Sequence, residues 1–194
     1  DALLSRGLGD VYKRQVLTRG DDHVLLATSR GMAIRFDEND ARVMGRAAAG
    51  VKGIDLADTD KVVGLVRAED DTDLLTVTEN GYGKRTPLAE YLVQAEEGAR
   101  PQSRGGKGRI DIKTAGRNGP VVTVRSVTDS DSLMFISSGG MMIRTSAADV
   151  SRLGRNTQGV RVVKLKTEDR LIDCATTPAD PEVEDDPDTT TTTI

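Results

Sequence analysis

The sequence has few of the residues that cross-link a chain or carry out catalysis. It contains one cysteine, Cys174, one histidine, His23, and no tryptophan, and aromatic residues make up 3% of its 194 residues. A single cysteine excludes a disulfide framework and a cysteine-based zinc site, and it is typical of a reducing compartment. Because no serine or cysteine constellation accompanies it, the lone histidine favours a packing role. The scarcity of aromatic side chains argues against a platform for stacking single-stranded bases.

Long apolar runs are also missing. No segment approaches the roughly 18 apolar residues of a membrane-spanning helix, and no secretory signal is visible. We therefore expect a soluble cytoplasmic protein without a membrane partner. Residues 1–15 share nothing with the pattern described below, which leaves open whether this non-matching segment is native.

Charge is unevenly distributed along the chain. The formal net charge of -4 argues against a nucleic-acid partner, yet residues 16–176 hold 24 Lys and Arg against 23 Asp and Glu. Residues 100–117 carry six cations against Asp111 alone, whereas residues 177–194 carry six acids and no cation. Because local density sets the electrostatic field, the basic window is a candidate for binding a polyanion. The acidic, threonine-rich tail is expected to be disordered, and competition with a polyanion for the basic window is a hypothesis for its role.

One pattern occurs three times. An apolar, β-rich run is followed by a turn glycine and, four residues later, by an arginine. The pairs are Gly31 and Arg35, Gly81 and Arg85, and Gly140 and Arg144. A strand, a tight glycine turn and a second strand form a hairpin. A second shared glycine then precedes another alternating run, and a fourth apolar run ends each unit. These second glycines are Gly50, Gly108 and Gly159, and the runs that follow them are residues 51–56, 109–113 and 160–165.

Four strands per unit predict an all-β protein built from repeated four-stranded antiparallel blades, as in a propeller. The three blades would lie at about residues 16–70, 71–129 and 130–176. Closed propellers have roughly four to eight blades, and an incomplete set leaves sheet edges unpaired. We therefore expect further blades outside this chain.

Three motifs, "ENGYGKRTPLAEY", "GRNTQGVR" and "VMGRAAAGVKGIDL", resemble the C-terminal domain of bacterial DNA gyrase A, and the resemblance covers about residues 16–176. It implies a six-bladed β-pinwheel in which neighbouring blades exchange strands, represented here by its last three blades. That domain wraps duplex DNA around a basic rim and thereby supports the ATP-dependent introduction of negative supercoils.

The resemblance also implies partners and a location. The chain would act, through parts outside it, in a heterotetramer with a second copy of gyrase A and with gyrase B, in the bacterial cytoplasm at the nucleoid. This segment would carry no catalytic residue and no cofactor, because strand cleavage, ATP and Mg would belong to other parts of the type IIA topoisomerase.

The hallmark of that family is a box of Gln, a cation, Arg, Gly, Gly, a cation and Gly. Residues 102–108, here called the box, match six of the seven places, with Ser103 where the family has a cation. By residue chemistry, Arg104 and Lys107 would attract phosphates, and the glycines would let backbone N–H groups approach them. The box falls on the expected fifth blade rather than the first, which leaves open whether it is the principal or an auxiliary wrapping element. A Walker phosphate loop is excluded, because Pro101 stands where that motif needs glycine.

The predicted DNA-binding residues are Gln102, Arg104, Gly105, Gly106, Lys107, Gly108, Arg109, Arg35, Lys84, Arg85, Arg144 and Arg155. The repeated arginines have two open roles, since they could line a common rim or pair with an acid on a neighbouring strand. Further candidates are Arg46, Lys52 and Arg161 as phosphate contacts, and Tyr82 as a stacking residue.

Two other functions remain open. The equivalent domain of topoisomerase IV is less favoured, because it usually lacks the box and has fewer blades. A propeller-type scaffold that binds proteins and not DNA is the alternative of a different class. The salt dependence of DNA binding separates the two classes, because phosphate contacts weaken steeply as salt rises.

Overall fold

The computed structural model describes residues 14–177, whose regular structure is β-strand interrupted by three short 3-10 turns. The strands are β1 (His23–Thr28), β2 (Met32–Asp37), β3 (Val62–Arg67), β4 (Asp73–Thr78), β5 (Tyr82–Pro87), β6 (Val93–Ala95), β7 (Gly98–Arg100), β8 (Arg109–Ile110), β9 (Val121–Val127), β10 (Ser132–Ser137), β11 (Met142–Ser146), β12 (Val160–Arg161) and β13 (Leu171–Thr177). The 3-10 turns are Glu38–Asp40, Leu88–Tyr91 and Ala147–Asp149. Among these residues, no helix has the length and apolar character needed to cross a membrane.

Each repeat begins with an antiparallel hairpin, formed by β1–β2, β4–β5 and β10–β11. The turn glycines Gly31, Gly81 and Gly140 have φ angles of 80°, 82° and 79°, in the left-handed region that glycine adopts without steric cost. A third strand, β3, β9 or β13, returns to pair with the first strand of its hairpin, and its register shifts at the same place in every repeat. The all-β prediction of repeated antiparallel sheets is confirmed.

The fourth strand of two sheets comes from the following repeat. Strand β8 pairs with β2 and completes the order β3-β1-β2-β8, and β12 pairs with β5 and completes the order β9-β4-β5-β12. The third sheet, β13-β10-β11, has three strands among the described residues. The alternating runs after Gly108 and Gly159 therefore complete the preceding sheet instead of their own.

The first repeat departs from the sequence-based expectation. Residues 51–56, which align with the donated strands, form no strand. A strand requires a partner edge, because unpaired N–H and C=O groups gain nothing from an extended conformation. Residues 14–177 contain no sheet before the first one, so this segment has no preceding edge to join.

The turn glycines Gly31 and Gly81 lie directly against the backbone of the next repeat. A Cβ atom at Gly31 would lie 2.1 Å from Ile112 O, and one at Gly81 would lie 2.5 Å from Val163 O. In return, Gly31 O accepts the backbone N–H of Asp111 at 2.9 Å. The glycine pattern in the sequence is thus the signature of strand donation, since any side chain would push the donated segment away.

The second shared glycines show the same constraint. A Cβ at Gly108 would lie 2.5 Å from Ala33 O, and one at Gly159 would lie 2.5 Å from Gly83 O. At Gly50, by contrast, nothing lies within 4 Å of such an atom. The close approach therefore occurs only where a donated strand is docked.

Aspartates close two of the hairpin turns. Asp60 accepts from Ser29 Oγ (2.8 Å) and Arg30 N (3.0 Å), and Asp169 accepts from Ser137 Oγ (2.7 Å) and Gly139 N (2.8 Å). The hydrogen bonds to Asp169, of which the one from Ser137 Oγ has the largest effect, lower the pKa of its carboxyl to about 2. Each aspartate directly precedes the connection into the third strand, so it ties that connection to the hairpin turn.

Neighbouring sheets pack face to face over two apolar clusters. The first cluster joins the first and second sheets and includes Leu25, Ala33, Leu74, Tyr91, Ile112 and Val124. The second joins the second and third sheets and includes Leu75, Val77, Leu133, Phe135, Val163 and Cys174. Each cluster contains one residue that follows a donated strand, Ile112 or Val163. Burial raises the pKa of the Cys174 thiol to about 12, so this cysteine is a core residue and not a reactive one.

Strand donation predicts that two turn glycines with the same φ differ in their tolerance of alanine. Gly31→Ala should lower the free energy of unfolding by about 3 kcal/mol, because left-handed strain adds to a clash with Ile112 O. Gly140→Ala should cost about 1 kcal/mol, because nothing lies within 4 Å of its added Cβ. Urea unfolding followed by circular dichroism measures both values. Equal losses for the two variants would contradict the role assigned to the donated strand.

Candidate nucleic-acid interface

The box connects β7 to β8 and lies against the first hairpin. The N–H of Gln102 donates to Arg35 O at 2.9 Å, and the N–H of Gly105 donates to Gly53 O at 2.8 Å. The N–H of Gly105, predicted to face a phosphate, is thus used inside the protein. The Nε2 atom of Gln102 is buried and has no hydrogen-bond partner among the described residues.

Arg104 fastens the box to the preceding repeat. Its Nε donates to Asp40 O at 3.0 Å, one of its Nη atoms donates to Lys52 O, and its backbone N–H donates to Asp40 Oδ2 at 3.3 Å. Two of the guanidinium nitrogens are therefore engaged with backbone oxygens. Arg104 positions the box, and a phosphate contact for it remains a prediction.

The other two cations of this segment differ in exposure. Lys107 is exposed. The pKa of the Asp55 carboxyl is lowered mainly by Lys52 and to a smaller extent by Lys107. Arg109 is half-buried and donates to Leu92 O at 2.9 Å. Of the charged box residues, Lys107 thus presents its charge most openly to solvent.

A loop of the same length as the box leads into β12 in the third repeat, at residues 153–159. The N–H of Leu153 donates to Arg85 O at 2.8 Å, just as the N–H of Gln102 donates to Arg35 O. Both loops therefore begin by pairing with the carbonyl of the repeated arginine, and both end at the glycine that precedes the donated strand.

The two loops also share positive φ angles at matching places. Gly105 (83°) and Gly108 (74°) in the box correspond to Asn156 (59°) and Gly159 (69°) in the third repeat. Glycine and asparagine are the residues that adopt this conformation most readily. The glycines of the box are consequently needed for the path of the loop, whether or not a phosphate approaches them.

Arg35 is buried, with 2% of its surface exposed. Its guanidinium donates to Asp70 Oδ1 (2.7 Å), Leu88 O (2.9 Å) and Ala68 O (3.1 Å), and it lies 2.9 Å from His23 Nδ1. The bond to Leu88 O holds the first hairpin against the second repeat. His23 lies against the same guanidinium, in line with the packing role expected for it.

Arg85 repeats this arrangement one sheet further on. It is 5% exposed, donates to Val150 O at 2.9 Å, and forms ion pairs with Asp73 and Asp129. A buried guanidinium whose donors are engaged has no free face for a phosphate. The predicted DNA contacts of Arg35 and Arg85 are therefore corrected to the other role that the sequence left open, a structural pairing with an acid, here Asp70 and Asp73.

Lys84 lies in the core. Its Nζ is 3.0 Å from Asp111 Oδ1 and donates to Gly154 O at 2.9 Å, and its side chain has no exposed surface. Asp111 also accepts from Tyr91 Oη (2.6 Å) and Thr76 Oγ1 (2.7 Å). Burial lowers the pKa of Lys84 and raises that of Tyr91. The predicted phosphate contact of Lys84 is wrong, because a lysine at this position cannot reach solvent.

The repeat alignment contained a signal for this burial. Lys84 stands three residues after its turn glycine, where the other repeats have Ile34 and Ile143. Ile34 is fully buried. An apolar residue at the matching place of both other repeats predicts an inward-facing side chain, and the sequence interpretation weighed only the charge.

The last two predicted contacts occupy intermediate environments. Arg144 is exposed on β11, and one of its Nη atoms donates to Ser132 Oγ at 3.2 Å. Arg155 is half-buried, with its guanidinium carbon 6.0 Å from the centroid of the Tyr91 ring. Its backbone N–H donates to Glu90 Oε2 at 3.1 Å. Nothing in this geometry prevents either residue from contacting DNA.

Exposed cations gather near the turns of the first two hairpins and beside the connection that leads into β13. We call them the turn-end surface: Arg30, Lys107, Lys113, Arg117, Arg161, Lys164, Lys166 and Arg170. Lys107 lines one hollow with Arg30, and Arg161 lines another with Lys164, Lys166 and Arg170. The aspartates that close two hairpin turns lie in these same hollows, but their carboxylates are engaged with turn hydroxyl and N–H groups.

Sequence reasoning named Lys107 and Arg161 of this surface as individual contacts, and its basic window, residues 100–117, also contains Lys113 and Arg117. A further signal was available, because Lys113 and Lys164 both stand five residues after a second shared glycine. Residues 14–177 contain no group of three or more His, Cys, Asp or Glu side chains arranged to hold a metal ion.

Comparison with known proteins gives consistent matches. A family model described as DNA gyrase C-terminal domain, beta-propeller, matches residues 22–69, 72–95, 96–128 and 131–178. The A subunit of DNA gyrase from Haloquadratum walsbyi is 46% identical over 177 residues, which are 90% of this chain and 20% of that protein. The A subunit of DNA gyrase from Escherichia coli K12 is 41% identical over 173 residues, which are 89% of this chain and 19% of that protein. The chain thus spans about a fifth of the length of these curated relatives.

Two solved structures share the fold. A structure of the DNA gyrase A C-terminal domain superposes with a TM-score of 0.72 at 28% identity, and the match covers 82% of this chain and 52% of that one. The C-terminal domain of DNA topoisomerase IV superposes with the same TM-score at 21% identity, and the match covers 88% of this chain and 57% of that one. The second likeness concerns the fold alone.

Burial separates the lysines that serve folding from those available to a ligand. Lys84→Met should lower the free energy of unfolding by about 3 kcal/mol or more, because it leaves the Asp111 carboxylate buried without its cation. The matched change Lys107→Met, at an exposed site, should alter it by less than about 0.5 kcal/mol. Urea unfolding of both variants measures the difference, and similar values would show that the buried pair has no special importance.

Proposed function

Since the chain belongs to the family of DNA gyrase C-terminal domains with a β-propeller fold, we propose that it binds duplex DNA along its turn-end surface and wraps it as part of gyrase A. The observation that carries this proposal is the segregation of charge. The buried cations Arg35, Lys84 and Arg85 are paired with acids, whereas the cations of the turn-end surface face solvent.

The physical basis of binding is the release of counterions from DNA. Each lysine or arginine that neutralises a phosphate frees condensed cations, and the gain does not depend on base sequence. Cations spread over successive sheets suit a curved duplex, because contacts along its backbone repay the elastic cost of bending. Lys107 contributes charge to this path, and Arg104 holds the loop that carries it. Gln102, Arg104, Gly106, Gly108, Arg109, Arg144 and Arg155 remain predicted contacts.

The role in the whole enzyme rests on family membership. We propose that this segment supports the ATP-dependent introduction of negative supercoils by a type IIA topoisomerase, together with gyrase B and a second copy of gyrase A, at the bacterial nucleoid. Strand cleavage and the use of ATP and Mg would reside in other parts of that complex. The gyrase assignment is favoured over topoisomerase IV because the relatives at 41% and 46% identity are gyrase subunits.

A salt titration tests DNA binding directly. Fluorescence anisotropy of a labelled duplex of about 40 base pairs should give an affinity that falls at least about tenfold between roughly 50 and 200 mM NaCl. Lys107→Ala should weaken binding and reduce the slope of log K against log salt by about 0.9, the value for one phosphate contact. Arg19→Ala removes an exposed arginine beside Glu69 and is the matched control, expected to leave the slope unchanged.

The absence of binding by the unaltered chain at low salt would contradict the proposal. The protein-binding scaffold would then be the remaining function. Equal effects of Lys107→Ala and Arg19→Ala would show that net charge matters and that the turn-end surface does not.

A further inference from the structure

Two arginines lie beside one aromatic ring in the turn-end surface. The guanidinium carbon of Arg117 is 4.8 Å from the centroid of the Tyr82 ring, and that of Arg161 is 5.4 Å from it. An Nη atom of Arg161 also donates to Tyr82 Oη at 2.9 Å. Both arginines are exposed, and the tyrosine is half-buried.

Backbone contacts place the three residues side by side. Tyr82 and Arg161 are directly opposite each other in the pairing of β5 with the donated strand β12. Arg117 lies in the connection between β8 and β9, where Asn80 Nδ2 donates to its carbonyl at 2.9 Å. The group therefore combines residues of the second and third repeats and exists only when the strand is donated.

The charge around this group is mostly positive. Lys164, Lys166 and Arg170 line the same hollow as Tyr82 and Arg161, together with Glu168 and Asp169. The carboxylate of Asp169 is occupied by Ser137, Ser138 and Gly139 of the third hairpin turn. Among the described residues, Arg117 and Arg161 form no ion pair, so their charges are not neutralised within the protein.

The fold does not require this group. In the first sheet, Met32 and Ile110 occupy the paired places that Tyr82 and Arg161 occupy in the second. A feature needed for strand donation would recur in both sheets, as the shared glycines do. Arg117 also donates to Gly159 O at 3.4 Å, beside β12, but the tyrosine and two arginines are not a general requirement for strand donation.

We propose that Tyr82, Arg117 and Arg161 form a phosphate clamp at the junction of the second and third sheets, which holds one backbone phosphate of the wrapped duplex and fixes its path there. This inference rests on the proposed function. It adds a defined subsite to a surface otherwise described only by its charge.

The chemistry of the three side chains suits a phosphodiester. A guanidinium presents a planar fork of donors that matches two phosphate oxygens, and an aromatic face orients it through cation–π contact. From their ring distances, the two charges lie within about 10 Å of each other, about one Debye length, so salt screens their mutual repulsion only in part. An anion between them removes that repulsion. The two arginines lower the pKa of the Tyr82 hydroxyl, and the hydrogen bond from Arg161 is the largest cause.

The test separates the contribution of the planar guanidinium of Arg161 from that of its charge. In anisotropy titrations of the full chain with the same duplex, Arg161→Ala should weaken binding about tenfold and lower the salt slope by about 0.9. Arg161→Lys keeps the charge but loses the planar fork, and it should still weaken binding about fivefold. Tyr82→Leu keeps both arginines and should weaken binding about threefold. Arg19→Ala is the control and should stay within about twofold of the unaltered chain.

Each outcome bears on the clamp. The expected order of affinities is unaltered chain, Tyr82→Leu, Arg161→Lys and Arg161→Ala, with Arg117→Ala close to the last. If Arg161→Lys binds like the unaltered chain, or if Arg161→Ala weakens binding no more than Arg19→Ala, the clamp is wrong while DNA binding stands. If the unaltered chain does not bind DNA, the proposed function fails and the clamp fails with it. Thermal unfolding checks the folding of each variant, and Arg161→Lys decides the question if Tyr82→Leu is unstable.

Discussion

The approach of one backbone to a glycine of the preceding repeat is the contact on which the structure depends. Ile112 O and Val163 O occupy the space that side chains at Gly31 and Gly81 would need. Because the donated segment is held there, Ile112 and Val163 reach the cores between the sheets. The same docking sets Arg161 opposite Tyr82. Core packing and the arrangement of surface cations therefore both follow from one steric requirement.

Charged residues in this protein divide into two groups by solvation. A buried cation is tolerated only with partners, because burying an unpaired charge costs far more than folding can offset. Arg35, Lys84 and Arg85 meet this condition through acids of their own repeats and through backbone oxygens of the following repeat, Leu88 O, Gly154 O and Val150 O. The bonds to the following repeat favour one alignment of neighbouring repeats, since a shifted alignment would leave donors of the buried cations unpaired. The exposed cations carry no such constraint and remain available to an anionic ligand.

The sequence predicted the strand pattern well because its signals are local. A turn glycine followed by an alternating run has the same meaning in any sheet, so the hairpins at Gly31, Gly81 and Gly140 were correctly placed. Which sheet receives the run after Gly108 or Gly159 is not a local property. The alternation is the same whether the strand completes its own sheet or the preceding one, and residue chemistry alone does not choose.

The candidate site was harder to predict, because charge does not indicate burial. Lys84 and Lys107 are both lysines beside glycine-rich turns, yet one lies in the core and the other in solvent. The alignment of Lys84 with Ile34 and Ile143 distinguishes the two, since it reports the direction of the side chain. Arg161 and Tyr82 are 79 residues apart in number, and only the docking of β12 on β5 brings them together.

The box has two separate roles, one in the path of the loop and one proposed in DNA binding. Residues 153–159 lack the pattern of the box but share two of its features. Their first residue also donates to the carbonyl of a repeated arginine, and their fourth and last residues also have positive φ angles. Features common to both loops must therefore serve the path of a chain that is about to donate a strand. What distinguishes the box is Lys107 where the other loop has Gln158. The exposed charge of Lys107 thus stands on a loop that the fold already requires, so the DNA contact proposed for it would be added to a structural role and would not replace it.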